Sequence, residues 1–303
     1  MARTNFEKDR ELDFRMFVTG LGLVLLYAVV VTIMIRLGLS VAFVTFFCAA
    51  ALFAQYFFSD KIAMFSMRAH EVSPSEEPQL HAMVDRLCAM ANMPKPRVGV
   101  AEIDIPNAFA TGRSPSHAVV CVTRGIMSRL NDEELEAVLA HELSHVAHRD
   151  VAVMTIASGV GMLAGMVSRM AMWGAMLGGG NSRDNQNGGN IVLLEMATWL
   201  ISMAIYVVAF LLTMVLSRYR ELSADRSGAI LIGKPSVLAS ALVHITGDMG
   251  KIPRTDLRKA ETMNAFFFAP ALSGGSAASL FATHPSLQRR LDQLNKLERE
   301  MNA

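Results

Sequence analysis

The chain has 303 residues, 52% hydrophobic and 18% charged, with a net charge of +1 at pH 7. Soluble domains usually run about 45–50% apolar and about 25% charged, so these figures argue against an ordinary water-soluble enzyme and against a disordered chain. A near-neutral balance supplies no basic field, and no nucleic acid partner is expected. Cys48, Cys88 and Cys121 form no CxxC pair, so neither a disulfide framework nor a cysteine metal site is expected of them.

The excess of apolar residues is clustered. Met16–Ile35 carries no charge, and after Arg36 a second apolar run covers Leu37–Phe58. A bilayer core takes about 20 apolar residues as helix, so each run can span, and the short link makes an antiparallel hairpin. The first run also exceeds the ~7–15 apolar residues of a cleaved signal peptide.

A soluble stretch follows. Ser75–Met93 has a helical apolar stripe of Leu80, Met83, Val84, Leu87 and Met90, ended by two prolines. Arg97–Ile103 and Ala118–Thr123 are rich in valine and read as short strands, with Pro106–Gly112 (PNAFATG) as a possible edge strand between them. Asn131 and Glu134 form a capping box, with Leu130 and Leu135 placed to staple it and Asp132 and Glu133 at the positive helix end. The helix that starts there contains AVLAHELSHVAHRD.

A second apolar pair comes next. Met196–Leu216 is uncharged and long enough to span. Val151–Leu177 is weaker: Arg169 interrupts it, and Gly159, Gly161, Gly165 and Gly174 suit either close packing in lipid or a segment lying against protein or at the interface. Gly178–Asn190 reads as a flexible loop. The C-terminal part predicts a helix near Ser236–Thr246, an apolar stretch at Ala265–Ala269, and a charged amphipathic helix over Pro285–Met301.

Lysine and arginine placement orients the spans. Arg3, Lys8, Arg10 and Arg15 precede the first, whereas the two outside loops hold only Arg36 and Arg183. The expected organisation is a cytoplasmic tail over residues 1–15, a transmembrane hairpin over 16–58, a cytoplasmic part with the histidine helix over 59–150, a second hairpin over 151–216, and a second cytoplasmic part over 217–303.

His141-Glu142-Leu143-Ser144-His145 is an HExxH motif. Positions i and i+4 share a helix face, so both imidazoles can bind one Zn²⁺, and Glu142, one step round, can reach a water there. A third ligand is needed. A metzincin would continue with Gly at 148 and His at 151, where this chain has His148 and Val151. The other common solution is a glutamate from a second helix, and the candidate is Glu221 in Ser217–Asp225. Asp225, four residues on, can orient a ligand imidazole through its other ring N–H. His145 lies about 9 Å of helix before Val151, and Glu221 about 7.5 Å after Leu216, so a hairpin over 151–216 would return the two to the same height. His148 falls on the ligand face but receives no role.

These motifs, with PNAFATG, RELSAD and Thr283-His-Pro-Ser286 in that order and two spans at the N-terminus, resemble the HtpX-type membrane zinc proteases, heat-shock quality-control relatives of the type 1 CAAX prenyl proteases. The resemblance runs from about Arg15 to the C-terminus. It implies a mainly α integral membrane protein with four transmembrane helices and a cytoplasmic gluzincin-type α+β domain carrying a small β-sheet. It further implies one Zn²⁺ per chain held by His141, His145 and Glu221, with Glu142 catalytic, in the bacterial inner membrane with both termini and the active site cytoplasmic. Membrane-protein or unfolded polypeptides are the implied substrates, and the lipid bilayer the implied surrounding. His284 is implied as a catalytic donor to the oxyanion or a regulatory fourth ligand, with Tyr219 and Arg220 as weaker donors. Asn107, Ala108, Phe109, Ala110 and Thr111 resemble the family's substrate-binding edge strand.

The rival class is a metal-binding membrane scaffold or transporter. A transporter places ionisable groups inside its spans, and here only Arg169 lies within one. Four spans also argue against the large intramembrane chamber that prenyl-protein processing would require.

Overall fold

The structure, a computed structural model, describes residues 10–36, 40–178, 188–249 and 284–303. Most of the N-terminal tail, the turn at 37–39, residues 179–187 of the expected loop and the apolar stretch Ala265–Ala269 lie outside the described residues. The chain divides into two compact units, one of Met1–Met16, Tyr56–Val153 and Ser217–Ala303, the other of Phe17–Gln55 and Met154–Leu216.

The second unit is helical. It is built from parts of α1 (Arg10–Arg36), α2 (Val41–Phe57), α7 (Asp150–Gly178) and α8 (Gly188–Ile232). Val30, Met34, Val44, Cys48, Leu163, Ala164, Val167 and Ile205 form its buried seam. Phe17, Val24, Phe46 and Leu200 are exposed, an apolar exterior suited to lipid. Small residues let the helices approach: a Cβ on Gly159 would stand 3.0 Å from the Leu52 side chain.

Among the described residues, three helical stretches are long and apolar enough to cross a membrane: Phe14–Thr32, Asp150–Met170 and Met196–Ile232. The expected second span differs. Its helix breaks at Phe58 and resumes as α3 (Ser59–Ser66) at a 67° bend, so the count reaches four only if that pair is one span. The polar run Ser59-Asp60-Lys61 follows the break directly. The fourth expected span and the segment carrying Glu221 are one uninterrupted helix, α8, of 45 residues.

The other unit holds a four-stranded sheet in the order β1-β2-β4-β3. β2 (Arg97–Ala101) and β4 (Val119–Thr123) pair in parallel, while β1 (Ala69–Glu71) and β3 (Ala108–Thr111) close the two edges antiparallel. β4 is buried throughout, which accounts for its valine run. β1 was not foreseen, because three residues with no buried member give no alternation to read. PNAFATG does form an edge strand.

Leu80, Val84 and Leu87 of α4 (Pro78–Ala91) pack with Val98, Val100, Val120 and Val122 of the sheet and with Leu135, Val138, Leu139 and Leu143 of α6 (Asp132–Ala147). Met90, expected in the α4 stripe, is exposed instead. α5 (Arg124–Arg129) follows β4. Leu238, Leu242 and Ile245 of α9 (Pro235–Met249) and Leu294 and Leu297 of α10 (Leu287–Met301) complete the core. The capping box that starts α6 is formed: Glu134 N donates to Asn131 Oδ1 at 2.9 Å, and Asn131 N to Glu134 Oε2 at 3.3 Å. All three cysteines are free and buried.

Candidate metal centre

The centre lies within the sheet-containing unit. α6 sets His141 and His145 one turn apart, with their rings edge to face and Nε2 atoms 3.2 Å from one another. α8 brings Glu221 against both: Oε1 lies 3.5 Å from His145 Nε2, and Oε2 lies 3.8 Å from His141 Nε2. One donor atom from each of the three residues lies within 4.8 Å of the others, a cluster that could hold a single small cation. His141, His145 and Glu221 form the one such group among the described residues.

Electrostatics prepares the same atoms. Burial pushes both imidazoles down to about 4, against the pull of Asp225 on His141 and of Glu221 on His145. Each ring is therefore neutral near pH 7, the form that binds metal. Burial works against ionising Glu221, but His284, His145 and His141 together hold its carboxyl well below the usual range. Glu142 goes the other way: burial, then the Glu221 charge, raises it well above the usual carboxylate range. Two neighbouring carboxyls are thus split into an anion fit to ligate and a group fit to carry a proton.

A carboxylate stands close to Nδ1 of each histidine. Asp225 Oδ1 lies 2.9 Å from His141 Nδ1. Asp225 is itself gripped by Arg290 of α10, with Nε 2.7 Å from Oδ2 and Nη2 2.6 Å from Oδ1. Asp150 Oδ2 lies 2.5 Å from His145 Nδ1 and is paired with Arg220. Sequence reasoning missed Asp150 and Arg290. Asp150 lies past the end of α6, outside the i, i+4 rule, and Arg290 belongs to a charged amphipathic helix whose arginines give no sign of which is buried. Arg220, a weaker oxyanion donor by sequence, is engaged by Asp150.

A glycine sets how closely α8 approaches α6. A Cβ on Gly228 would stand 2.8 Å from His141 N and 2.9 Å from its Cα, so the helix bearing Glu221 packs against the backbone of the first histidine.

Glu142 is buried, and its Oε2 accepts a hydrogen bond from Ala110 N at 2.9 Å. Thr123 N donates to Asn107 O, so by strand alternation Asn107, Phe109 and Thr111 face β4, while Ala108 and Ala110 turn their N–H groups to the outer edge. The sequence-assigned strand therefore lies beside Glu142. His284 reaches the centre too: its Nδ1 is 2.9 Å from Glu221 Oε2, an ion-pair approach without hydrogen-bond alignment. His148 caps the C-terminus of α6 and is outside the ligand group.

An HExxH helix, a glutamate from a later helix and an edge strand beside the motif's own glutamate are together an arrangement suited to a metallopeptidase. The profile of Peptidase family M48 matches residues 74–298, and the chain belongs to that family. It is 51% identical over 300 residues to "Protease HtpX homolog 1" of Streptomyces coelicolor, covering 99% of this chain and 97% of that protein. It is 49% identical over 300 residues to "Protease HtpX homolog" of Moorella thermoacetica, covering 99% and 98%. The resemblance to HtpX-type proteases read from the motifs is thereby borne out, and the chain is a membrane metalloprotease. The crystal structure of S. mikatae Ste24p shares the fold, with a TM-score of 0.57 at 15% identity, covering 95% of this chain and 67% of that one.

Proposed function

We propose that the protein is a zinc-dependent endopeptidase of the bacterial inner membrane, with its active site and both termini cytoplasmic, that hydrolyses peptide bonds in misfolded or damaged membrane proteins as part of a stress response. The observation that carries this reading is the convergence of His141, His145 and Glu221 on one point, with Glu142 beside them and in contact with a strand edge.

His141, His145 and Glu221 would hold one Zn²⁺ per chain; neutral imidazoles and a carboxylate suit zinc. When bound, zinc supplies Lewis-acid polarisation of the scissile carbonyl and of the attacking water. Glu142 takes the water's proton on its carboxylate and returns it to the leaving amine, a task its raised pKa favours. Asp225 and Asp150 fix the two imidazole rings. His284 donates to the developing oxyanion. Residues 107–111 dock the substrate as an added strand, reading backbone rather than side chains. That mode tolerates many sequences and requires an extended segment, which unfolded polypeptides and damaged membrane proteins offer. The soluble parts, 59–150 and 217–303, lie on the side where the Lys/Arg bias puts the N-terminal tail, with the hairpins 16–58 and 151–216 in the bilayer.

The test is zinc content and casein cleavage by the purified full-length protein. Glu142→Gln should keep zinc and lose about 10²–10⁴-fold in turnover. His141→Ala, His145→Ala and Glu221→Ala should lose the metal. A drop below tenfold for Glu142→Gln removes its role as base, and Glu221→Ala that binds zinc like the parent removes it as third ligand. Zinc without any cleavage in the parent protein points to a scaffold.

A further inference from the structure

Within the sheet-containing unit, α3 presents two faces. Ala63 and Met67 are fully buried and pack, with Met64 alongside, into a cluster with Ala101, Phe109 and Cys121. On another face Phe58, Ile62 and Phe65 are 47%, 48% and 87% exposed. Their spacing, i, i+4 and i+7, puts them in one row along the helix. Two large apolar side chains on an eight-residue helix, with the phenylalanine that precedes it, mark a surface with a partner.

Three observations say what the partner is. Phe58 alone separates α3 from α2, an apolar helix of 17 residues, so the row begins where that helix ends. The row is bordered by aromatics and cations. Lys61 Nζ stands 5.7 Å from the Phe58 ring, and the Arg113 guanidinium 5.3 Å from the Phe57 ring. Tyr56 Oη donates to the Arg113 carbonyl at 2.7 Å, and Arg68 is exposed at the end of α3. The acidic residue of the helix, Asp60, is paired with Arg97. Aromatic rings with lysine and arginine at the end of an apolar helix are the composition of the membrane–water interface, where phosphates meet the cations and the rings sit at headgroup depth.

We propose that α3 is an interfacial helix whose Phe58–Ile62–Phe65 row lies in the phospholipid headgroup layer. This rests on the membrane reading of α2. The opposite face supports Phe109, a residue of β3, so the helix ties the strand beside Glu142 to the lipid surface.

The experiment uses the full-length protein in vesicles of phosphatidylethanolamine and phosphatidylglycerol. Nitroxide labels are placed at Phe65→Cys, Ile62→Cys, Phe46→Cys and Ser116→Cys in separate variants. The native cysteines are buried, and the unsubstituted protein serves as the labelling blank. Collisions with oxygen and with a water-soluble nickel chelate then report depth. Positions 62 and 65 should show an oxygen-to-nickel ratio several-fold above that of Ser116, with Phe46, 68% exposed on α2, higher still. If 62 and 65 match Ser116 while 46 stays lipid-like, the interfacial helix is overturned and the membrane reading stands. A water-like position 46 overturns both. Positions 62 and 65 shielded from both reagents would mean that protein covers the row, which also overturns the proposal.

Discussion

Arg290 clamps Asp225 through two parallel hydrogen bonds, 2.7 and 2.6 Å, across 65 residues of sequence. Both side chains are buried, and Asp225 in turn meets His141. The C-terminal helix is thereby coupled to the first metal-ligand candidate. Removing one partner of a buried pair typically costs about 3–5 kcal/mol, because the other charge stays buried alone. Arg290→Ala should lower the melting temperature strongly and, by releasing Asp225, weaken zinc affinity by up to about 10–100-fold, the range for losing a ligand's own partner. Arg290→Lys keeps the charge but not the fork, and should fall between. Zinc affinity by chelator competition decides the matter: an unchanged value in Arg290→Ala rejects the coupling.

Gly228 offers a steric test of the same assembly. A Cβ there meets backbone of His141 and Ala140 at 2.8–3.0 Å, and backbone cannot swing aside. Gly228→Ala should push α8 away from α6, costing about 1–3 kcal/mol as overpacking does, and should weaken metal retention by moving Glu221 from the histidines. Gly161, whose Cβ would meet nothing within 4 Å, is the matched control: Gly161→Ala should lower neither the melting temperature nor the zinc content. Equal behaviour of the two variants would remove the close approach as a determinant of the site.

Acid should destabilise the metal-free protein. His141 and His145 fall from 6.5 to about 4 on folding, so between those values the unfolded chain holds more protons and stability drops as pH falls. Glu142 acts oppositely: its raised folded pKa gives stability at low pH that is lost as pH rises through that value. Two histidines outweigh one carboxyl. Glu142→Gln removes the opposing group, so its melting temperature should fall more steeply with acid than the parent's, by about one proton's worth of slope. Melting curves of chelated protein from pH 7 to 4.5 check this, and a shallower slope in Glu142→Gln contradicts the assignment.

The topology in the proposed reading depends on residues 178–190 lying outside the cell membrane while the C-terminal part lies inside. Lysine and arginine are scarce in that loop, where Arg183 stands alone. In a background without the native cysteines, Ser182→Cys should react with a membrane-impermeant thiol reagent in intact cells. Ser286→Cys, exposed at the start of α10, should react only after permeabilisation. Like behaviour of the two positions would reduce Val151–Leu177 to a re-entrant or interfacial element and end the four-span count.

Much of the site was legible because it is written in local spacing. His141 and His145 lie one helical turn apart, Glu221 and Asp225 repeat that interval, and Asn131 with Glu134 announces the helix start. Uncharged runs of about 20 residues identify apolar helices whatever they pack against. A strand of three residues carries no such period, so β1 stayed hidden. The break at Phe58 was equally unreadable, since the polar residues after it could have ended a straight span.

What the sequence by itself determined is therefore the chemistry and its local carriers: the HExxH helix, the candidate third ligand, the edge strand and the apolar segments. Only the tertiary structure decided which groups meet. It brought Arg290 from a helix of charged composition into a buried clamp on Asp225, and Asp150 from beyond a helix end onto His145. It set Gly228 against the His141 backbone and turned the Ala110 N–H toward Glu142. Periodicity specifies which face of one element is apolar, but contacts between elements many tens of residues apart follow from how those faces pack. A buried charge can be recognised only once its partner has been placed beside it.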